Sequence, residues 1–351
     1  MRNGKLRVGI VGVGGIGRDQ HLPAWAKVPF AEVTAAADLS DEALRRSCEF
    51  LPQSRRFTDW RELVRLDELD VVDVCTPNRT HAPIALAALK AGKHVLCEKP
   101  LATTTREVRD LAEAARHAGR LVMAAQNLRF DSGCQQCKAL IDGGMLGQIY
   151  YARAQWLRRR LLPPRATFTE RRLSGGGAAL DIGVHVLDLA YWFMGAPEPV
   201  SVSAVADARL AKREDLSSAW GEWDRGRIDV EDFAVGFVRF ANGSVLVLET
   251  SWLSFQPEKD LVRVQCLGDR AGLTWPDGVV VGETKRVPWD LRLSEAAKVV
   301  THHELIQRFA EAVRDDLPSP VPVEESLAVI RILDAVYRSA ELGKEVDIDA
   351  I

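Results

Sequence analysis

Long hydrophobic runs are missing from this 351-residue chain. A helix that spans a bilayer needs about 20 consecutive apolar residues, so no membrane partner is expected. A surplus of positive charge is missing as well, because 46 Lys and Arg residues face 49 Asp and Glu residues, which gives a net charge of -3. Without a global positive field to attract phosphates, nucleic acid is not expected as a partner.

Cysteine is scarce and scattered, with six residues in total. Cys75 and Cys97 stand in apolar, strand-like runs, and Cys134 and Cys137 form a lone C-x-x-C inside a stretch that reads as a helix. A structural zinc site takes four ligands, and neither a second pair nor suitably spaced histidines follow. We therefore predict no metal site and free thiols, as in a reducing cytoplasm. The short N-terminal apolar run reads as a core strand and not as a signal peptide.

A glycine-rich turn follows the first apolar run, Leu6–Val11. Its residues are Gly12, Val13, Gly14, Gly15, Ile16 and Gly17. In a dinucleotide turn of this G-x-G-x-x-G spacing, the first glycine permits a tight bend. The second lets a pyrophosphate approach, and the third lets the next helix pack on the strand. The N-terminus of that helix also attracts phosphates.

Asp38 ends the second apolar run, 21 residues after Gly17. That is close to the spacing of about 20 residues expected for an acid that binds the cofactor ribose. A surface aspartate that opens a turn is the alternative. A carboxylate here favours NAD, because it repels the 2′-phosphate of NADP. Arg45 and Arg46 lie one helix away and leave NADP open.

Strand and helix patterns alternate through the first half of the chain, which predicts βαβ units and a doubly wound parallel sheet. Ligands of such sheets bind beyond the carboxyl ends of the strands. Four polar clusters occupy those positions: the glycine turn, Asp38, Thr76-Pro77-Asn78 and Glu98-Lys99-Pro100. We expect them to converge on one crevice.

The pattern changes after Asn127. A helix is predicted over about Ala178–Met194, and strand patterns with an Asn242-Gly243 hairpin signal follow. Residues 211–229 read as a loop insertion. Consecutive hairpin strands predict an antiparallel sheet, so the second domain is α+β. We predict a nucleotide-binding domain over 1–127, an α+β domain for substrate binding and oligomerisation over 128–322, and a C-terminal helix over 323–351 that packs back on the first domain.

Three side chains are candidates for catalysis. Lys99 follows a predicted strand, where a lysine could stabilise an alkoxide; a surface pair with Glu98 is the alternative. Asp181 and His185 are four residues apart on a predicted helix and share a face, so the carboxylate could orient a histidine that acts as general base. An ordinary helix pair is the alternative. A metal site would need a third ligand, and none is evident.

Other polar residues have weaker signals. His21 and His81 each begin a helix and read as capping or packing residues, and His302 and His303 are expected to be exposed to solvent. The arginines of residues 158–172 could hold an anionic group of a substrate, such as an acidic or phosphorylated sugar. A solvated loop is the alternative.

Together these motifs resemble the Gfo/Idh/MocA family, the oxidoreductases named for glucose–fructose oxidoreductase and inositol dehydrogenase. The glycine turn resembles its cofactor turn. Further resemblances, in chain order, are Thr76-Pro77-Asn78 with His81 to T-P-N-x-x-H, Glu98-Lys99-Pro100 to E-K-P, Asn127-Leu128-Arg129-Phe130 to N-x-R-F, Gly176–His185 to G-G-x-x-x-D-x-G-x-H, and Glu231-Asp232-Phe233 and Asn242-Gly243 to the sheet-domain pattern. The resemblance covers nearly the whole chain.

The resemblance implies an N-terminal Rossmann domain and a C-terminal α+β domain. The large, mostly antiparallel open sheet of the second domain would form a homodimer or homotetramer. It implies NAD or NADP as cofactor, held by the glycine turn and by Asp38, Thr76, Pro77, Asn78, His81, Glu98, Lys99 and Asn127. The implied catalytic residues are Lys99, Asp181 and His185. The implied substrate-binding residues are Lys99, Arg129, Trp156, Asp181 and His185.

The implied activity is hydride transfer between nicotinamide and a secondary alcohol or ketone of a sugar, an inositol or a related polyol. His185 would take the hydroxyl proton, Lys99 would stabilise the alkoxide, and Asp181 would orient His185 or bind a substrate hydroxyl. Two alternatives are an NAD-dependent glycoside hydrolase that oxidises its substrate transiently, and a non-catalytic sensor of dinucleotide and sugar. A sensor needs no proton relay, so these three side chains argue against it.

Overall fold

The computed structural model describes residues 4–51, 54–295 and 297–350. The chain divides into two compact units. Unit 1 comprises Met1–Phe130 and Val299–Leu327, and unit 2 comprises Asp131–Lys298 and Ala328–Ile351. This division crosses the predicted boundaries, because one helix expected in the second domain belongs to unit 1 and most of the last helix belongs to unit 2.

Eleven α-helices occur in the described part of the chain. They are α1 (Leu22–Trp25), α2 (Asp41–Arg46), α3 (Trp60–Val64), α4 (His81–Lys90), α5 (Thr105–Ala118), α6 (Ser132–Asp142), α7 (Ala166–Thr169), α8 (Arg171–Ser174), α9 (Val184–Phe193), α10 (Thr301–Asp315) and α11 (Val323–Leu342). Single π-helical turns, Gly17–His21 and Ala179–Gly183, precede α1 and α9. None of these described helices is long and apolar enough to cross a membrane.

Unit 1 contains a six-stranded sheet. Its strands are β1 (Leu6–Val11), β2 (Ala31–Ala37), β3 (Arg55–Phe57), β4 (Val71–Val74), β5 (His94–Cys97) and β6 (Val122–Ala124). All pairs are parallel and the order is β3-β2-β1-β4-β5-β6, which is the order of the doubly wound dinucleotide-binding fold. The predicted parallel sheet is confirmed. β3 was not predicted, because its short, charged and largely exposed segment lacks an apolar pattern.

α10 belongs to unit 1 because its apolar face is buried there. Leu305, Ile306 and Phe309 are fully buried, in one cluster with Leu6 of β1 and Trp25 of α1. The Trp25 and Phe309 rings form a T-shaped pair with 6.5 Å between their centroids. Burying such large side chains typically stabilises a fold by about 1.5–3 kcal/mol each.

Unit 2 contains a nine-stranded sheet. Its strands are β7 (Ile149–Arg158), β8 (Pro199–Asp207), β9 (Phe233–Phe240), β10 (Val245–Ser251), β11 (Asp260–Gly268), β12 (Ala271–Trp275), β13 (Val279–Thr284), β14 (Val287–Arg292) and β15 (Val346–Asp347). The order is β14-β13-β12-β11-β7-β10-β9-β8-β15. Only the β7–β10 pair is parallel among these strands, so the predicted mostly antiparallel sheet is confirmed. Asn242-Gly243 forms the predicted hairpin between β9 and β10, with Gly243 at φ +82°.

Most of α11 packs on the sheet of unit 2, whereas its first residues, up to Leu327, belong to unit 1; the predicted return of this helix to the first domain stays a prediction. The Tyr337 hydroxyl donates to Glu231 at 2.9 Å, and the Ser339 hydroxyl oxygen accepts the N–H of Ala204 in β8 at 2.8 Å. Val336 is fully buried beside Gly236 of β9. The sequence showed an amphipathic helix but did not show which sheet would cover it.

Candidate active site

The glycine turn has the geometry that a dinucleotide needs. Gly12 has φ +91°, and a Cβ there would lie 2.5 Å from the carbonyl oxygen of Cys75. A Cβ on Gly17 would overlap the carbonyl oxygen of Gly12, whereas one on Gly14 would meet no atom within 4 Å. The first and third glycines are therefore required by close packing within unit 1, and the second faces open space that a pyrophosphate can enter.

Asp38 follows β2 and holds the glycine turn in place. Its Oδ2 accepts the N–H of Val13 at 2.9 Å, and its Oδ1 accepts the N–H of Ser40 at 2.9 Å. An ionised carboxylate has about four acceptor positions, so this side chain retains capacity for ribose hydroxyls. The exposed Arg45 and Arg46 both pair with Glu42.

His81 joins two of the predicted cofactor segments. Its side chain is fully buried at the start of α4. Nδ1 lies 2.7 Å from the carbonyl oxygen of Pro100, and Nε2 lies 2.7 Å from that of Thr76. Burial lowers the pKa of His81, and the two carbonyl groups oppose that effect. The ring lies between these two carbonyl oxygens, so it joins the Thr76-Pro77-Asn78 turn to the Glu98-Lys99-Pro100 turn.

Glu98 is the centre of a buried polar cluster in unit 1. Its Oε1 lies 2.9 Å from Nε2 of His21 and 3.4 Å from Nε2 of His302, and its Oε2 accepts the backbone N–H of Lys99 at 3.0 Å. On the other side of the ring, Nδ1 of His21 lies 2.8 Å from Oδ2 of Asp73. We call Asp73, His21, Glu98 and His302 the His21 network.

In this network, the contacts between the histidines and the carboxylates stabilise the charged forms of His21 and Glu98. Burial alone would lower the pKa of His21, but the Asp73 carboxylate raises it well above the usual value. Burial alone would raise the pKa of Glu98, but hydrogen bonds from His21 and His302 hold it well below the usual range. The expectation of an exposed His302 was wrong, since its side chain is only 13% exposed.

The N-x-R-F segment forms a 3₁₀ turn, Asn127–Phe130. The Asn127 amide donates to the Thr301 hydroxyl at 3.0 Å. Arg129 is 2% exposed and its guanidinium pairs with Glu325 at 2.5 Å. A guanidinium buried in this way stabilises unit 1 internally, and the substrate-binding role expected of Arg129 stays a prediction.

In unit 2, a buried carboxylate fixes the beginning of the helical segment that carries Asp181. Glu231 accepts the N–H of Gly177 at 2.9 Å, the N–H of Ala179 at 3.0 Å and the Tyr337 hydroxyl at 2.9 Å. A Cβ on Gly177 would overlap the Glu231 carbonyl oxygen. The glycines before Asp181 are therefore needed for this close approach.

Asp181, His185 and Trp156, three of the residues expected in the substrate site, lie in one region of unit 2. Asp181 is buried, and its Oδ2 accepts the indole N–H of Trp252 at 3.0 Å. Arg158 lies 4.0 Å from the same oxygen. The His185 ring lies 5.5 Å from the Trp156 ring between centroids. A carboxylate, a histidine and two indoles thus share one region of unit 2.

The insertion predicted over 211–229 contains no helix or strand, but it is well packed. Trp223 and Ile228 are buried in one cluster with Trp252 and Leu162. Trp220 from this loop covers the Arg158 guanidinium at 4.9 Å. The loop therefore forms one wall beside Asp181.

The loop arginines are mostly engaged inside unit 2. Burial lowers the pKa of Arg158, while Asp181 and Asp260 oppose that effect. Arg160 donates to Ser217, and Arg172 pairs with Glu170. These contacts argue against an anion site built from this loop.

Sequence reasoning missed several residues of these two regions. Trp252 and Trp220 lie in segments with no catalytic motif. Asp73 did carry a signal, because an acid inside the buried strand sequence V-V-D-V requires a partner. Its partner, His21, is 52 residues away and could not be identified from spacing.

Cys134 and Cys137 lie in α6, the helix predicted for them, and both are buried with free thiols. Burial raises the pKa of Cys137 to about 11 and that of Cys134 further. Burial therefore favours the protonated thiols over the thiolate, which is the reactive form.

The sheet order and the glycine turn define unit 1 as the dinucleotide-binding part of an oxidoreductase-type α/β protein. A family signature described as oxidoreductase family, NAD-binding Rossmann fold, matches residues 6–126, and the GFO/IDH/MocA C-terminal domain matches residues 134–274. The protein belongs to the Gfo/Idh/MocA family. It is an NAD-dependent oxidoreductase, as the motifs predicted.

Relatives of this chain are similar along most of its length. D-glucoside 3-dehydrogenase of Escherichia coli (strain K12) is 31% identical over 348 residues, which cover 99% of each chain. Levoglucosan dehydrogenase of Pseudarthrobacter phenanthrenivorans is 32% identical over 269 residues, 70% of this chain and 67% of the relative. The fold also matches a solved structure of levoglucosan dehydrogenase with NADH and levoglucosan, with a TM-score of 0.85, 24% identity and coverage of 98% and 99%.

Proposed function

We propose that this enzyme oxidises a secondary alcohol of a neutral sugar, glycoside or related polyol, with NAD as hydride acceptor. The observation that carries this proposal is the group of Asp181, His185, Trp156 and Trp252 in unit 2. The partly buried Trp156 indole provides apolar area for the C–H face of a sugar, the buried Trp252 holds Asp181, and the polar pair provides partners for hydroxyl groups. The relatives named for oxidation of glucosides and levoglucosan support the same substrate class.

Each proposed catalytic side chain has one role. His185 takes the proton of the reacting hydroxyl as general base. Asp181 is held by Trp252 and either orients His185 or accepts a substrate hydroxyl. Lys99 stabilises the alkoxide that forms as the proton leaves, with its backbone anchored to Glu98. A bound nicotinamide would supply the acceptor for the hydride of the carbinol carbon.

A neutral substrate fits the charges in unit 2 better than an acidic one. Arg158 lies 4.0 Å from Asp181 and 3.7 Å from Asp260, so two carboxylates already face this guanidinium. An anionic group placed here would compete with Asp181 for Arg158 and would weaken the proton relay. We therefore favour neutral sugars over sugar acids and sugar phosphates.

We propose that the enzyme assembles as a homodimer or homotetramer through the open face of the unit 2 sheet. By register, Val205 of β8 lies on the same face as Phe233 and Phe237 of β9. Val205 is 60% exposed and Phe233 is 36% exposed. An apolar, exposed sheet face is typical of an interface. Light scattering tests this: Val205→Lys should reduce the molecular mass from that of an oligomer, and a monomeric wild type would contradict the assembly.

The six cysteines carry free thiols, which supports placing the enzyme in the cytoplasm.

The activity is tested by mixing the protein with NAD and a panel of neutral glycosides, inositols, sugar acids and sugar phosphates, and following reduced nicotinamide. Loss of the general base in His185→Asn should reduce kcat by about 10²–10⁴-fold. His117→Asn, an exposed histidine of α5, is the matched control. Preference for sugar acids would contradict the neutral-substrate proposal. Cleavage of glycosides without net reduced cofactor would favour the hydrolase instead.

A further inference from the structure

The His21 network links the π-helical turn after the glycine turn to the segment that carries Lys99. His21 and Asp73 are fully buried, and Glu98 is 6% exposed. Trp25 also donates its indole N–H to Oδ2 of Asp73, at 2.7 Å. No role proposed above for NAD or sugar uses His21 or Asp73, although this arrangement places buried charges together at a cost in desolvation.

The ring of His21 lies between two carboxylates and contacts one with each nitrogen. A carboxylate accepts hydrogen bonds, and a neutral imidazole has a single N–H to donate. Both contacts are therefore satisfied together only by the imidazolium form. In that form, His21 fixes the orientation of Glu98 from one side.

The other oxygen of Glu98 acts on Lys99. Oε2 accepts the backbone N–H of Lys99 at 3.0 Å, while Oε1 faces His21 and His302. A rotation of the carboxylate toward either histidine would release that N–H. The position of the Lys99 backbone therefore depends on the contact between His21 and Glu98.

We propose that His21 is a positioning residue for hydride transfer, which holds Glu98 so that Glu98 fixes the backbone of Lys99. This inference rests on the role proposed above for Lys99. A displacement of about 1 Å at a reacting group can cost about 100-fold in rate. The contact of His21 with Glu98, which acts on the backbone of Lys99, therefore contributes to kcat.

Two substitutions separate the two contacts of the ring. An asparagine amide reaches the place of Nδ1, so His21→Asn keeps the link to Asp73 and loses the link to Glu98. A glutamine amide reaches the place of Nε2, so His21→Gln keeps the link to Glu98. We expect kcat to fall by about 10- to 100-fold in His21→Asn, and to remain near the wild-type value in His21→Gln. The dissociation constant of NAD should stay unchanged in both.

A merely structural histidine would give a different result. If His21 were merely structural, both substitutions would lower kcat to the same extent, and the loss of kcat would follow the fall in the thermal midpoint of unfolding. That result would overturn the proposal. Glu98→Gln is a second variant in case His21→Asn does not fold, and a wild-type kcat in Glu98→Gln would also overturn it. His117→Gln on the exposed face of α5 controls for loss of a histidine.

A bound metal is the main competing explanation of this cluster. Nε2 of His21, Oε1 of Glu98 and Nε2 of His302 all lie within 4.8 Å of one another. Stoichiometric zinc in the purified protein, lost in His21→Asn, would overturn the proposal, because Nε2 would then carry metal in place of a proton. Metal analysis that finds no such zinc supports it.

A structural readout separates this proposal from the proposed function. In a crystal structure of His21→Asn with NAD, we expect Glu98 to rotate and the backbone of Lys99 to move. An unmoved segment would overturn the positioning role. A wild type that oxidises no member of the substrate panel would instead contradict the proposed function, whatever the crystal structure shows.

Discussion

Replacing Asp38 by asparagine should weaken NAD binding and reduce the preference for NAD over NADP. The carboxylate accepts the N–H groups of Val13 and Ser40. An asparagine has one acceptor oxygen, so one of these N–H groups would face an NH₂ group. A carboxylate bond to a ribose hydroxyl would be lost too. Hydrogen bonds to charged groups contribute about 1.5–3 kcal/mol each, which corresponds to about a 10- to 100-fold increase in the dissociation constant of NADH.

The dissociation constant of NADPH should change in the opposite direction and fall in Asp38→Asn. Two unit charges about 5 Å apart repel by about 3 kcal/mol at an effective dielectric constant of about 20, so the Asp38 carboxylate should exclude a 2′-phosphate strongly. Its removal should narrow the ratio of the two dissociation constants by two orders of magnitude or more. Fluorescence titration with NADH and NADPH at fixed ionic strength measures both constants.

The matched control for this experiment is Asp41→Asn, because Asp41 is exposed in the first turn of α2, three residues from Asp38. It removes the same charge from nearly the same place without touching the glycine turn. Equal effects of the two substitutions would refute a specific role of Asp38. So would unchanged constants for both cofactors in a folded Asp38→Asn protein.

Three further predictions concern unit 2. Glu231→Gln should lower the free energy of unfolding by about 2–4 kcal/mol, because the side chain loses acceptor capacity for its three donors. Denaturant titration measures this change. Tyr337→Phe removes only one donor and should lower the free energy of unfolding by less. Burial raises the pKa of Asp232 to about 6, and an unfolded aspartate titrates near about 3.9. Wild-type stability should therefore fall by up to about 3 kcal/mol relative to Asp232→Asn as pH rises from about 4 to about 6; parallel pH profiles of unfolding would contradict this. Trp252→Phe removes the donor to Asp181 and should lower kcat/KM about tenfold, while an unchanged value would show that Trp252 only fills space.

Local sequence signals predicted the frame of both units. β1, β2 and β5 were found because β-branched and apolar runs end at glycines or polar turns. α5 begins where the Thr104 side chain accepts the N–H of Glu107, a contact between residues three positions apart. In such places the residues that determine the structure are neighbours in the sequence.

Contacts over long sequence distances could not be predicted in this way. Glu98 and His302 are about two hundred residues apart, and their pairing depends on α10 folding against unit 1. The exposed, charged strand β14 has no apolar alternation, so only pairing with β13 defines it. Asp181 and His185 were found through motif spacing, whereas Trp252 was recognised only from the folded unit.

The central claim is that His185 promotes hydride transfer from a sugar carbinol carbon to nicotinamide. The direct measurement uses a neutral glycoside deuterated at the reacting carbon and follows the label by mass spectrometry in a single turnover. We predict that reduced nicotinamide carries the deuterium in the wild type and the His117→Asn control, and that His185→Asn forms it far more slowly. Reduced cofactor without the label, or equal rates in the wild type and His185→Asn, would contradict the account.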